Sequence, residues 1–164
     1  MFSKEDYKEY FQQIAALERA MIFNMFDVMT LLDDEKIKNS LIKVANDEKR
    51  HYLYIKQVFD SILFKGDTEK REFLRNHSLG KARIKLEGST DSFDGYCINI
   101  SEGGICVESA HYLNPGNSVE LWVDFFDGRQ AQHYRGRLIW CAKIKNDLYI
   151  QKVRYQAGLH FETK

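Results

Sequence analysis

The chain has 164 residues, enough for one domain or two small ones, with 24 Lys and Arg against 24 Asp and Glu. The charges balance in each half, 10 basic against 11 acidic over residues 1–66 and 14 against 13 over 67–164. A nucleic-acid polymer bound through its phosphates calls for a basic excess, so that class of partner is excluded. No apolar run approaches the roughly 20 residues needed to cross a bilayer, and the opening residues turn amphipathic at once, without the pattern of a signal peptide. The expected location is the cytoplasm.

Two long helices are expected first, over residues 4–32 and 35–64. Neither span contains Gly or Pro. Ser3, with Asp6 three residues on, can cap the first by accepting an orphan backbone N–H. The run Asp33-Asp34-Glu35 makes the turn and places negative charge at the positive end of the second helix. A stripe through the first helix reads Tyr7, Phe11, Ile14, Glu18, Met21, Met25, Val28, Leu32. One through the second reads Ile37, Leu41, Val44, Glu48, His51, Ile55, Val58, Ile62. Both follow the alternating four-and-three spacing of a packing seam.

Glu18, Glu48 and His51 interrupt those seams. A carboxylate in an apolar seam is costly unless it is paired or ligates a metal. In an antiparallel hairpin Glu18 and Glu48 lie equally far from the turn, which puts all three at one level. Two helices alone leave part of each seam uncovered, so a homodimer through the N-terminal helices, forming a four-helix bundle, is expected.

A composition change marks the second half. Every glycine except Gly66, and the single proline, follow residue 79, and β-branched and aromatic residues begin to alternate there. The expected domains are 1–66 and 67–164, joined through Lys65-Gly66-Asp67-Thr68-Glu69-Lys70. Strands are expected near 81–86, 94–101, 104–110, 118–125, 131–142 and 147–161, separated by turns such as Asn114-Pro115-Gly116-Asn117 and Asp127-Gly128. Six short strands at this spacing indicate a small antiparallel barrel or sandwich. The fold class is therefore α+β. Cys97, Cys106 and Cys141 fall in strands without metal-ligand spacing and read as reduced thiols.

Two motifs stand out in this half. Arg71 and Arg75 form an Arg-x-x-x-Arg pair after the linker, and Asn99-Ile100-Ser101-Glu102-Gly103-Gly104 fits Asp/Asn-x-Ser-x-x-Gly. With Gly136-Arg137-Leu138-Ile139-Trp140 and Ala157-Gly158-Leu159-His160-Phe161, they make residues 70–162 resemble the PilZ family, bacterial receptors for cyclic di-GMP. The resemblance implies a six-stranded barrel without catalysis, with cyclic di-GMP bound by Arg71, Arg75, Asn99, Ser101, Gly103 and Gly104. The chemistry agrees: a guanidinium fork matches guanine O6 and N7 as well as phosphate oxygens. Asn99 and Ser101, two apart on a strand, share a face, and the glycine pair permits close backbone approach. The competing reading makes the arginines solvated linker charges and Ser-Glu-Gly-Gly a plain hairpin turn. Lys70, beside the arginine pair, bears on ligand stoichiometry, which stays open.

Residues 10–64 resemble the ferritin-like superfamily, rubrerythrin-type, through Ala16-Leu17-Glu18 and Ala45-Asn46-Asp47-Glu48-Lys49-Arg50-His51. That resemblance implies half of a di-iron site at Glu18, Glu48 and His51, completed by a twofold dimer, with iron ahead of manganese or zinc. Two other readings remain open: a metal-free Glu–His network that fixes register, and pairing of Glu18 with Arg19 or Arg50. The functional expectation is a cyclic di-GMP receptor that signals to a downstream protein through its dimeric hairpin. The alternative is a ferritin-like ferroxidase or oxidase regulated by the barrel.

Overall fold

Helix α1 spans Lys4–Leu31 and helix α2 spans Glu35–Leu63, and they pack as an antiparallel hairpin. The computed structural model describes residues 4–63, 77–144 and 154–162, with helix side chains described from 5 to 59. The expected Ser3 cap lies outside those residues. The turn is fixed by Asp34, whose Oδ1 accepts from the N–H groups of Lys36 at 2.9 Å and Ile37 at 3.1 Å. This satisfies two of the orphan donors at the start of α2. None of the helices among the described residues is long and apolar enough to cross a membrane.

The seam that closes the hairpin is not the expected one. Ile22, Phe23, Phe26 and Met29 of α1 are buried, as are Ala45, Tyr52 and Phe59 of α2. The expected rows lie to one side of these, and Tyr7, Val28, Ile37 and Val44 remain 45–51 % exposed. Each helix is apolar over nearly half its circumference, and a two-helix contact can take only one row of it. The row with the bulkiest aromatic residues wins because it removes the most apolar area from water. The expected rows flank that contact: Phe11, Glu18, Glu48 and Ile55 are half-buried along its edge, and Tyr7, Val28, Ile37 and Val44 leave an open apolar face.

The second unit is a closed antiparallel barrel of six strands: β1 (Gly80–Leu86), β2 (Ser92–Ile100), β3 (Gly104–Ser109), β4 (Ser118–Asp124), β5 (Gln132–Lys143) and β6 (Tyr155–Phe161). The order around it is β1-β2-β3-β6-β5-β4, with β4 pairing back onto β1. Closure leaves no free sheet edge. Alternation directs Ala82, Ile84, Val107, Leu121, Leu138 and Leu159 into one core, with Cys97 buried among them. Strand β2 stops at Ile100, one residue short of expectation, because Ser101 already belongs to the turn. Strand β6 is described only from Tyr155, and residues 147–153 of the expected span lie outside the described ones. The chain divides into two compact units, Met1–Arg71 and Glu72–Lys164.

Candidate functional sites

Four of the six expected ligand residues converge on the turn between β2 and β3. A register shift between Cys97 and Asn99 offsets the end of β2, so that Asn99 pairs with Cys106. Such a bulge re-aims the side chains that follow it. The Ser101 N–H donates to the Gly104 carbonyl at 2.8 Å, and its hydroxyl approaches the same oxygen at 3.3 Å. Ser101 therefore holds the turn as well as facing outward from it, and it is half-buried. The Gly103 carbonyl accepts from Phe161 N–H at 3.0 Å, tying the turn to the last strand. Gly104 is required for packing: a Cβ there would meet the Leu159 carbonyl oxygen at 2.1 Å. Arg71 and Arg75 lie outside the described residues.

Two neighbours of this turn were not legible as site residues in the sequence. Cross-strand pairing sets Asn99 beside Cys106, Cys106 beside Gly158 and Gly158 beside Trp140. Trp140 leans over the bare backbone of Gly158, where a Cβ would meet the indole Nε1 at 2.1 Å. This row on the outer wall thus ends in an aromatic surface. The Gly-x-x-x-Trp spacing within β5 was visible, but its neighbour on β6 depends on register. Two residues further along β3 lies Glu108, on the outer wall yet fully buried. It accepts from Gln156 Nε2 at 2.8 Å and faces Arg154 Nη1 at 3.8 Å. The Arg154 guanidinium lies 5.1 Å from the centre of the Tyr96 ring, a cation–π distance.

On the hairpin, the structure brings Glu18, Glu48 and His51 together. His51 Nδ1 lies 3.3 Å from Glu18 Oε1 and 3.9 Å from Glu48 Oε2. One donor atom from each residue falls within 4.8 Å of the other two. Glu18 is mostly buried, Glu48 less so, and His51 is more than half exposed. Burial pushes the Glu18 carboxyl above the usual carboxylate range; His51 pulls it back and the nearby Glu48 raises it again. Arg50 pairs instead with Asp47 on its own helix.

A family profile for the PilZ domain matches residues 69–164. No curated protein sequence matches the chain. Among solved structures, the Bacillus subtilis inhibitor of motility MotI/DgrA is similar at 17 % identity and a TM-score of 0.43, over 58 % of this chain and 44 % of that one. The PilZ domain of Escherichia coli YcgR with c-di-GMP is similar at 16 % identity and a TM-score of 0.44, over 57 % of this chain and 78 % of that one. The K. pneumonia MrkH–c-di-GMP complex gives 12 % identity and a TM-score of 0.45, over 59 % and 45 %. The chain thus spans less than half of MotI/DgrA and of MrkH. The family match covers the barrel and leaves the helices out, so the ferritin-like resemblance of residues 10–64 gains no support from it.

Proposed function

Since the chain belongs to the PilZ domain family, we propose that it is a non-catalytic receptor for cyclic di-GMP acting in the cytoplasm. The observation that carries this reading is the β2–β3 turn, where Asn99, Ser101, Gly103 and Gly104 of the family motif are gathered on one outer corner of the barrel. Asn99 supplies an amide for a guanine edge, and Ser101 a hydroxyl whose lone pairs stay available as acceptors while its proton goes to the Gly104 carbonyl. Gly104 lets the turn close against the Leu159 carbonyl and so fixes the corner that presents Asn99 and Ser101. Trp140 offers a π-face for a base further along the same wall. Arg71 and Arg75 supply the forks that neutralise two phosphates and clasp guanine O6 and N7.

The output reading follows from chain order. The arginine pair stands between α2 and β1, so a ligand that fixes it against the barrel constrains the connection to the hairpin. That constraint shifts the population of arrangements available to a downstream partner. The hairpin's open apolar face supports pairing with a second copy of the chain, the assembly its unused stripes call for.

Titration calorimetry with cyclic di-GMP tests the receptor reading. A charge-assisted hydrogen bond contributes roughly 1.5–3 kcal/mol, so Arg71→Ala and Arg75→Ala should each weaken binding by about 10- to 150-fold. Asn99→Ala and Ser101→Ala should weaken it less. No binding by the unmodified chain would overturn the function. Unchanged binding by the double arginine variant would overturn the site.

A further inference from the structure

The closing-strand segments 136–140 and 157–161 carry two polar residues with no part in the site so far, Arg137 and His160. Cross-strand pairing sets Gly104, where β3 leaves the turn, beside His160, and His160 beside Arg137. Ile105, Leu159 and Leu138 belong to the core, so by alternation Gly104, His160 and Arg137 face outward. Both polar side chains are exposed. Their row runs beside the one from Asn99 through Cys106 and Gly158 to Trp140, about 7 Å away along β3 and β6. We propose that Arg137 and His160 form a second polar ledge of the ligand wall, holding a phosphate and the adjoining ribose of cyclic di-GMP. The inference rests on the receptor reading above and extends it to residues outside both ligand motifs.

The donors on this ledge are unused. Among the described residues neither side chain makes a hydrogen bond or an ion pair. The nearest carboxylate by register, Glu162, is taken up by Arg135 at 3.6 Å and by the Ser118 hydroxyl at 3.3 Å. Arg137 is therefore left with a guanidinium fork that can meet two phosphate oxygens at once. An imidazole offers an N–H donor in either protonation state, so His160 can serve the same phosphate or a ribose hydroxyl.

Position supports the assignment as well. Neighbouring strands stand about 4.8 Å apart, so Asn99 on β2 and Trp140 on β5 are separated by roughly 14 Å across β3 and β6. A cyclic dinucleotide carries its two bases on opposite sides of a sugar–phosphate ring. Laid from the Asn99 amide toward the indole, that ring crosses the strands where His160 and Arg137 stand. Arg71 and Arg75 belong to the connection before β1, whereas this pair is carried by two strands of the closed barrel and is set by their register.

The test is titration calorimetry of the full-length chain with cyclic di-GMP at low and high potassium chloride. Arg137→Ala should weaken binding about 10-fold, the lower end for a charge-assisted hydrogen bond. It should also reduce the loss of affinity between the two salt concentrations, because one screened ion pair is gone. Arg137→Lys keeps the charge without the fork, so it should restore the salt dependence but not the full affinity. His160→Ala should weaken binding about threefold to tenfold. Arg83→Ala, at an equally exposed arginine of β1 beside Asp94 and Trp122, should change neither quantity. Urea unfolding verifies that each variant keeps its barrel. Unchanged affinity in Arg137→Ala, in a chain whose binding Arg71→Ala weakens, would overturn the ledge and leave the receptor reading standing. So would a loss of affinity with an unchanged salt dependence, since the arginine would then act through packing. No binding by the unmodified chain would overturn both.

Discussion

Trp140 and Gly158 allow a test in which stability and binding are predicted separately from one contact. A Cβ added at Gly158 would lie 2.1 Å from Trp140 Nε1, 2.6 Å from Cε2 and 2.9 Å from Cδ1. Non-bonded carbon contacts settle near 3.5–4.0 Å, so the indole must retreat by roughly 1.5 Å. Overpacking of this kind costs about 1–3 kcal/mol, and Gly158→Ala should lower barrel stability by that amount in urea unfolding. In a Trp140→Ala background the obstructing ring is gone, and the same glycine substitution should cost almost nothing. The double-mutant cycle should therefore show a coupling of at least about 1 kcal/mol, which is expected only of residues in contact. Base-on-aromatic stacking contributes about 1–3 kcal/mol, so Trp140→Ala should weaken cyclic di-GMP binding by roughly 5- to 150-fold. Gly158→Ala should weaken it too, by displacing the ring. Equal destabilisation by Gly158→Ala with and without the tryptophan would refute the packing argument. Wild-type ligand affinity in Trp140→Ala would refute the role given to the aromatic face.

Other perturbations probe features at a distance from that row. Glu108→Ala leaves Arg154 beside Tyr96 without its buried carboxylate; loss of one partner of a buried pair costs about 3 kcal/mol or more, readable as a lower urea midpoint. Burial in the barrel core drives the Cys97 thiol far above its ordinary range. Folding therefore favours the protonated thiol: its contribution is complete below the unfolded value near 9 and is lost as pH rises above it. Stability should fall on the alkaline side, Cys97→Ala should flatten that slope, and the native thiol should resist alkylating reagents at pH 8. On the hairpin, Val28→Glu with Val44→Glu places charge on the open face without touching the buried seam. Sedimentation should then show a smaller species with unchanged helical circular dichroism, and a wild-type monomer at every concentration would exclude the pairing.

What the sequence disclosed and what it withheld divide along a physical line. Features set by neighbours a few residues away were legible. Asp34 and the absence of Gly and Pro located both helices to within a residue, and turn chemistry located the strands and the Asn99–Gly104 motif. The trio at 18, 48 and 51 was legible as well, because equal distances from a tight turn translate directly into height along a hairpin. The choice of seam was not legible. Two adjacent rows on each helix satisfy the same periodicity, and only the summed volume of Ile22, Phe23, Phe26 and Met29 against Ala45, Tyr52 and Phe59 favours one of them.

Trp140 over Gly158 and Glu108 beside Gln156 were hidden for a related reason. Each pair joins strands 18 or 48 residues apart in sequence, and a register shift between Leu138 and Trp140 alters the pairing on the way. Shifting that register by one residue would turn Trp140 toward the core and remove the aromatic face from the wall that carries Asn99. The bulge on β5 and the bulge on β2 at Cys97/Asn99 therefore act together. Each re-aims one end of the same cross-strand row, and between them they bring a polar amide and an indole onto one surface. A motif at one end specifies half of such a row. The other half is specified only when the barrel closes.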